Sequence, residues 1–127
     1  MNIIDSSGWI EYFAGGMNMG AFTDAILDSS QLLVSAISIY EVVRRMSLYY
    51  QPDEKTKLLQ NLTVMRRGRI IEVGEQIALR AVDLASSHKL PMADSMILAT
   101  AQIHNAILWT QDAHFAGIAG IKYIAKP

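Results

Sequence analysis

The chain contains no cysteine. That excludes disulfides, thiolate zinc sites, iron–sulfur clusters and a cysteine nucleophile, and it fits a reducing compartment. Proline is scarce at three residues, and two of them, Pro52 and Pro91, stand where helices can begin. No stretch approaches the roughly 18 uninterrupted apolar residues of a membrane span, so no transmembrane helix is expected. The start, Met1-Asn2-Ile3-Ile4-Asp5, lacks the basic opening and apolar run of a signal peptide, which makes the cytoplasm the expected location. Neither charge is in excess. The 11 Lys+Arg stand against 12 Asp+Glu, which excludes a strongly basic nucleic-acid binder. No G-x-G-x-x-G follows the first apolar segment and no Walker A lysine motif occurs, against a nucleotide-binding oxidoreductase. Repeats, linkers and low-complexity tracts are missing as well.

What is present is apolar residue in quantity. With 51% hydrophobic and 18% charged residues over 127 positions, the chain can fill one core and is expected to form one domain over residues 1–127. Short apolar runs alternate with longer helical stretches. Strands are expected at Asn2–Asp5, Gln31–Ser35, Arg69–Val73, Ala106–Trp109 and Ile121–Ile124. Helices are expected at Gly8–Ala14 (stopped by Gly15-Gly16), Ala21–Leu27, Ser38 to about Tyr50, Pro52 to about Met65, Glu75–His88 and Pro91–His104. Within them, Ile39, Val42, Val43 and Met46 share one face, as do Ile77, Ala78, Ala81, Val82 and Ala85. The helix from Pro91 is apolar on most sides and so is expected to be buried. Strands alternating with helices imply an α/β fold of three layers, a central, mostly parallel sheet of about five strands flanked by helices.

In open parallel sheets, sites form outside the carboxyl ends of the strands. Asp5 ends the first strand and Asp112 follows the fourth. Glu41 and Asp94 sit near the starts of two apolar helices. An acid in such surroundings is costly unless paired, hydrogen-bonded or metal-bound. Two unit charges ~4 Å apart at an effective dielectric of ~20 repel by about 4 kcal/mol, so four converging acids call for a counter-charge. All-oxygen ligands favour Mg²⁺ or Mn²⁺, and an ion so held supports phosphodiester hydrolysis. Setting those four aside leaves eight acidic against eleven basic residues, a mildly basic scaffold around an acidic pocket. Arg44-Arg45 and Arg66-Arg67-Gly68-Arg69 are candidate phosphate contacts, the second run reading equally as a solvated turn.

Each acid taken singly also has a plain structural reading. Ser38 and Glu41 match the S-x-x-E capping box. Asp94 after Pro91 suits a helix dipole, and Asp112 suits a turn. Trp9 reads as core or dimer contact, with base stacking as the alternative. Tyr49-Tyr50 with Met46 and Leu48 reads as a partner surface or as more core. His88 and His104 suit the ends of helices. An acid at the end of a first strand also marks phosphoryl-transfer domains, but position 7 is serine, and the D-x-D pattern fails.

Together the segments form an ordered set. Ile4-Asp5-Ser6-Ser7-Gly8-Trp9, Ser35-Ala36-Ile37-Ser38-Ile39-Tyr40-Glu41-Val42, Ala93-Asp94-Ser95-Met96-Ile97-Leu98 and Leu108-Trp109-Thr110-Gln111-Asp112-Ala113-His114-Phe115 resemble the four motifs of PIN-domain ribonucleases. In size the chain resembles the VapC-type toxins of toxin–antitoxin pairs. The resemblance implies a Mg²⁺- or Mn²⁺-dependent endoribonuclease with Asp5, Glu41, Asp94 and Asp112 as metal-binding acids. Ser6 and Thr110 would orient water, ligands or phosphate. It further implies an RNA substrate, a cognate antitoxin and a homodimer. The alternative is a PIN-fold RNA- or protein-binding module that has lost catalysis. One departure is His114, where relatives often carry a second acid; it reads as a surface histidine without a role, or else as a phosphate contact or a group responding to pH.

Overall fold

The computed structural model describes all 127 residues, Met1–Pro127. Five short apolar segments form its strands: β1 (Asn2–Ile4), β2 (Leu32–Ser35), β3 (Arg69–Ile71), β4 (Ile107–Thr110) and β5 (Ile121–Tyr123). They pair in the order β3-β2-β1-β4-β5, and every pair is parallel. The register sets Ile3 beside Leu33 and Leu108. Side chains alternate between the faces of a strand, and here both faces are apolar, as a doubly covered parallel sheet requires.

Six helices cover those faces: α1 (Ser6–Ala14), α2 (Met19–Leu27), α3 (Ala36–Tyr49), α4 (Thr56–Met65), α5 (Glu75–His88) and α6 (Met92–Ile103). Ile4, Leu32 and Val34 point to one side, where they meet Trp9 of α1, Phe22 and Ile26 of α2, Val42 and Met46 of α3 and Met65 of α4. Ile3, Leu33, Ile71 and Leu108 point to the other, against Ile77, Ala81 and Leu84 of α5 and Ile97, Leu98 and Ala101 of α6. The result is the three-layer α/β arrangement that the alternating pattern implies.

Gly8 shows how tightly the first layer is packed. A Cβ there would lie 2.6 Å from Ile4 Cγ2 and 2.9 Å from Phe22 Cε1. Both neighbours are fully buried, so neither has room to move. Gly8→Ala is expected to destabilise the fold by about 1–2 kcal/mol through overpacking, read as a lower midpoint in urea at unchanged slope.

Several boundaries differ from expectation, each for a local reason. Helix α1 begins at Ser6 rather than Gly8, because Asp5 caps it by accepting the Gly8 N–H. It ends as foreseen, at Gly15 with φ 68°. Helix α2 starts at Met19, ahead of Ala21. The stretch from Pro52 is two pieces, a 3₁₀ turn (Pro52–Glu54) and then α4. Glu54 accepts the Gln51 N–H and closes the turn at its own start. Helix α3 begins at Ala36 because Ser35 is its cap, accepting from Ile37 N–H. The Ser38–Glu41 capping box is therefore absent, and Glu41 lies in the second turn with its side chain free for other partners. Strand β3 stops at Ile71, and β4 runs one residue further than expected, to Thr110. Of the two remaining short turns, Ala113–Phe115 follows Asp112, which suits a turn, whereas Ser29–Gln31 was not expected.

The strand order fixes where a site can lie. From β1 the chain proceeds outward through β2 to β3, then returns to β1's other side for β4 and β5. The winding runs one way from β1 and the other way from β4, so the switch point lies between these two neighbouring strands, and the crevice beyond their carboxyl ends is where such sheets bind ligands.

Candidate active site

Asp5 follows β1 directly, and its N–H donates to Trp109 O at 3.0 Å, which locks it against the end of β4. Its carboxylate is buried and accepts three hydrogen bonds: Ser7 Oγ at 2.7 Å and Gly8 N–H at 3.0 Å on Oδ1, and Thr110 Oγ1 at 2.8 Å on Oδ2. No basic side chain pairs with it within 4.0 Å. Burial raises its carboxyl from 3.8 to about 6, against the opposing pull of those three donors. Oδ2, with one bond, keeps a lone pair for a further partner.

Thr110 also joins Asp5 to the last motif, since its Oγ1 accepts the Asp112 N–H at 2.9 Å. Asp112 caps the turn Ala113–Phe115 by accepting the His114 N–H at 2.9 Å, so its expected role as a turn former holds as well. Phe115, fully buried, anchors that turn. Asp94, in the first turn of α6, brings a carboxylate that is 15% exposed, and its Oδ2 lies 3.1 Å from His114 Nδ1. Burial pushes the Asp94 carboxyl up, as do the charges of Asp112 and Glu41, while His114 opposes the rise. Glu41 comes from the second turn of α3, where Ser6 Oγ donates to Oε1 at 2.6 Å and lies 3.1 Å from the buried Ser38 Oγ.

All four acids line one cleft of about 380 Å³, with Ser6, Ser7, Tyr40, Arg44 and Arg45 on its walls. Their approach is uneven. The tight group is Asp94, Asp112 and His114, whose ligand atoms lie within 4.8 Å of one another. Asp5 and Glu41 stand outside that group and are tied to the cleft by Thr110, Ser7 and Ser6. The donor set is chiefly carboxylate oxygen, and its most buried member has no cationic partner. Both features fit a hard divalent cation.

His114 is at the surface as expected, but it has partners: Nδ1 lies 3.1 Å from Asp94 and 3.2 Å from Asp112, and its pKa is raised, first by the hydrogen bond to Asp94 and then by the charge of Asp112. Arg44 and Arg45 are on the cleft, exposed and without an acidic partner. The Arg66–Arg69 run enters the amino end of β3, away from the strand ends that carry the acids, and reads as a solvated turn. Trp9 is fully buried and available neither to a base nor to a second subunit. Tyr49 and Tyr50 part company: Tyr50 is buried with its OH accepting from Asn61 Nδ2, while Tyr49 is exposed. His104 closes α6 with Nδ1 3.0 Å from Thr100 O, and His88 is the last residue of α5. Ser7, which braces Asp5 and accepts Gln111 N–H at 3.2 Å, escaped sequence reasoning. The cue was there, because Asp-Ser-Ser after a strand is a helix-capping pattern.

Residues 3–121 match the family model described as PIN domain. A toxin–antitoxin complex from Klebsiella pneumoniae contains a chain of similar structure, with TM-score 0.79, 28% identity and 95% of each chain covered. FitAcB from Neisseria gonorrhoeae has TM-score 0.69 at 23% identity, covering 90% of this chain and 89% of that one. Mycobacterium tuberculosis VapC20, a sarcin–ricin loop cleaving toxin, has TM-score 0.76 at 12% identity over 96% and 98% of the two chains. Among curated proteins none matches.

Proposed function

The chain belongs to the PIN-domain family, and from that premise we propose that it is a metal-dependent endoribonuclease, the toxin of a type II toxin–antitoxin pair. The observation that carries this reading is the buried Asp5 carboxylate, unpaired by any basic side chain, in a cleft that three further acids enter from distant parts of the sequence. Asp5, Glu41, Asp94 and Asp112 are the groups assigned to hold Mg²⁺ or Mn²⁺. Such an ion, when bound, offsets their repulsion and stabilises charge on a phosphodiester under attack by water.

The chain's own residues do the rest. Thr110 and Ser7 fix the Asp5 carboxylate from both oxygens, and Ser6 fixes Glu41, so the acids present set orientations rather than swinging freely. Arg44 and Arg45, on the cleft wall, hold backbone phosphates without reading sequence. Tyr40, 67% exposed beside them, offers a face on which a base of a single-stranded or looped RNA stacks. This division explains how a chain of nearly neutral charge engages a polyanion: acids are gathered inward and free arginines stand at the rim.

The same cleft suits restraint by a cognate antitoxin that places a basic side chain among the acids. The Klebsiella pneumoniae relative comes from a toxin–antitoxin complex, which supports such a partner. A homodimer, a single domain over residues 1–127 and a cytoplasmic location complete the reading; no helix is long and apolar enough to cross a membrane.

Incubation with single-stranded and hairpin RNAs tests it. Cleavage is expected in Mg²⁺ or Mn²⁺, to cease on addition of EDTA and to return when the ion is restored. Cleavage that continues in EDTA refutes metal dependence.

A further inference from the structure

The tightest cluster of ligand atoms in the molecule is not all oxygen. It contains one imidazole nitrogen, His114 Nδ1, 3.1 Å from Asp94 Oδ2 and 3.2 Å from Asp112 Oδ1. The His114–Asp94 contact is a hydrogen bond, and neighbouring ligands on an octahedral ion with bonds of about 2.1–2.2 Å lie about 3.0–3.1 Å apart, so an ion can replace the shared proton with little movement of these groups. The imidazole is also held in place. The His114 N–H donates to Asp112 Oδ1 at 2.9 Å, and buried Phe115 next to it pins the short turn on which it sits. Its remaining surface, 57% exposed, faces outward, and no other protein group competes for Nδ1.

We propose that His114 is itself a ligand of the divalent cation, through Nδ1, alongside Asp94 and Asp112. The inference rests on the metal-dependent reading above and makes it more specific. A nitrogen donor is poorly suited to Mg²⁺, which prefers oxygen, and better suited to the later first-row ions. The site therefore favours Mn²⁺ over Mg²⁺ more strongly than a purely carboxylate site does. His114→Asp restores an all-oxygen set at the same position, and because the side chain is mostly exposed the fold tolerates it.

Two measurements on the full chain test this without recourse to activity. Electron spin echo spectroscopy of bound Mn²⁺ is expected to show coupling to a ¹⁴N nucleus, lost in His114→Asp. Calorimetric titration is expected to show the ratio of Mn²⁺ to Mg²⁺ affinity falling by about tenfold in that variant, the lower end of the effect of altering a metal site's donors and their supports. Mn²⁺ that binds without nitrogen coupling, or with coupling that survives His114→Asp, overturns the proposal and leaves the nuclease reading standing. Failure of the wild-type chain to bind Mn²⁺ at all overturns both.

Discussion

Asp94→Asn is expected to lower RNA cleavage by about 10²–10³-fold, the range for removing one group that stabilises developing charge, while leaving the fold intact. The expectation follows from where Asp94 sits. It belongs to the tight group with Asp112 and His114, and its carboxyl already feels the charges of Asp112 and Glu41. Asparagine keeps the shape, and its oxygen still accepts from His114, so packing around the first turn of α6 is preserved. What disappears is one negative charge, and with it a proposed metal ligand. Relief of like-charge repulsion means that thermal stability stays level or rises slightly. Single-turnover cleavage assays beside a thermal melt separate the two effects. Activity retained to within tenfold would remove Asp94 from the proposed site.

Asp5→Asn is expected to stabilise the metal-free protein while abolishing cleavage. In the unfolded chain the Asp5 carboxyl has the ordinary value of 3.8, and in the fold it rises to about 6 because burial disfavours the charge. Below about pH 4 the group is protonated in both states and its ionisation costs nothing. Between about 4 and 6 the unfolded chain has released the proton and the fold retains it, so stability falls as pH rises. Above 6 the whole cost is present, at most about 3 kcal/mol for a shift of this size. Asp94 shifts in the same direction. His114 adds to the trend: its contribution is complete below its ordinary value of 6.5 and is lost as pH passes its raised value in the fold. Asparagine at position 5 removes the buried charge and still accepts from Ser7 and Gly8. The metal-free variant should melt up to about 10 °C higher than the parent at pH 8, with no advantage at pH 4. A melting temperature that is lower at both pH values would show that Asp5 is stabilising as an anion. The same buried charge that weakens the empty fold is what an added divalent cation would compensate.

The layers and the parallel pairing of the strands were legible because the pattern is simple; the strand order was not legible. Ile3-Ile4 and Leu32-Leu33-Val34 are apolar on both faces, which only a doubly covered sheet accommodates. The expected α5 stripe of Ile77, Ala78, Ala81, Val82 and Ala85 is rotated in the fold: Ile77 and Ala81 are buried, Leu84 joins them, and Val82 is 61% exposed. The four acids were legible because each breaks an apolar context at the end of a strand or near the start of a helix. What was not legible depended on contacts between distant residues. The Ser38–Glu41 spacing is that of a capping box, yet Ser35 is the cap, and only the fold places Ser6 against Glu41 across 35 positions of chain. Thr110 meets Asp5 across 105 positions of chain. His114 is exposed and sits in a loop, which in sequence looks idle; its contact with Asp94 depends on α6 delivering that residue to the same point. The arginines divide for a similar reason. Both runs are basic, but the direction of the strands separates the pair on the cleft from the run at the amino end of β3.

Crystals soaked in Mn²⁺ and measured at a wavelength where manganese scatters anomalously test the central claim most directly. The account predicts an anomalous peak in the cleft between Asp5, Asp94 and Asp112, about 2.1–2.3 Å from carboxylate oxygens, and its disappearance in Asp94→Asn. A protein that diffracts well in Mn²⁺ with no peak there, or with its only peak elsewhere on the surface, contradicts it.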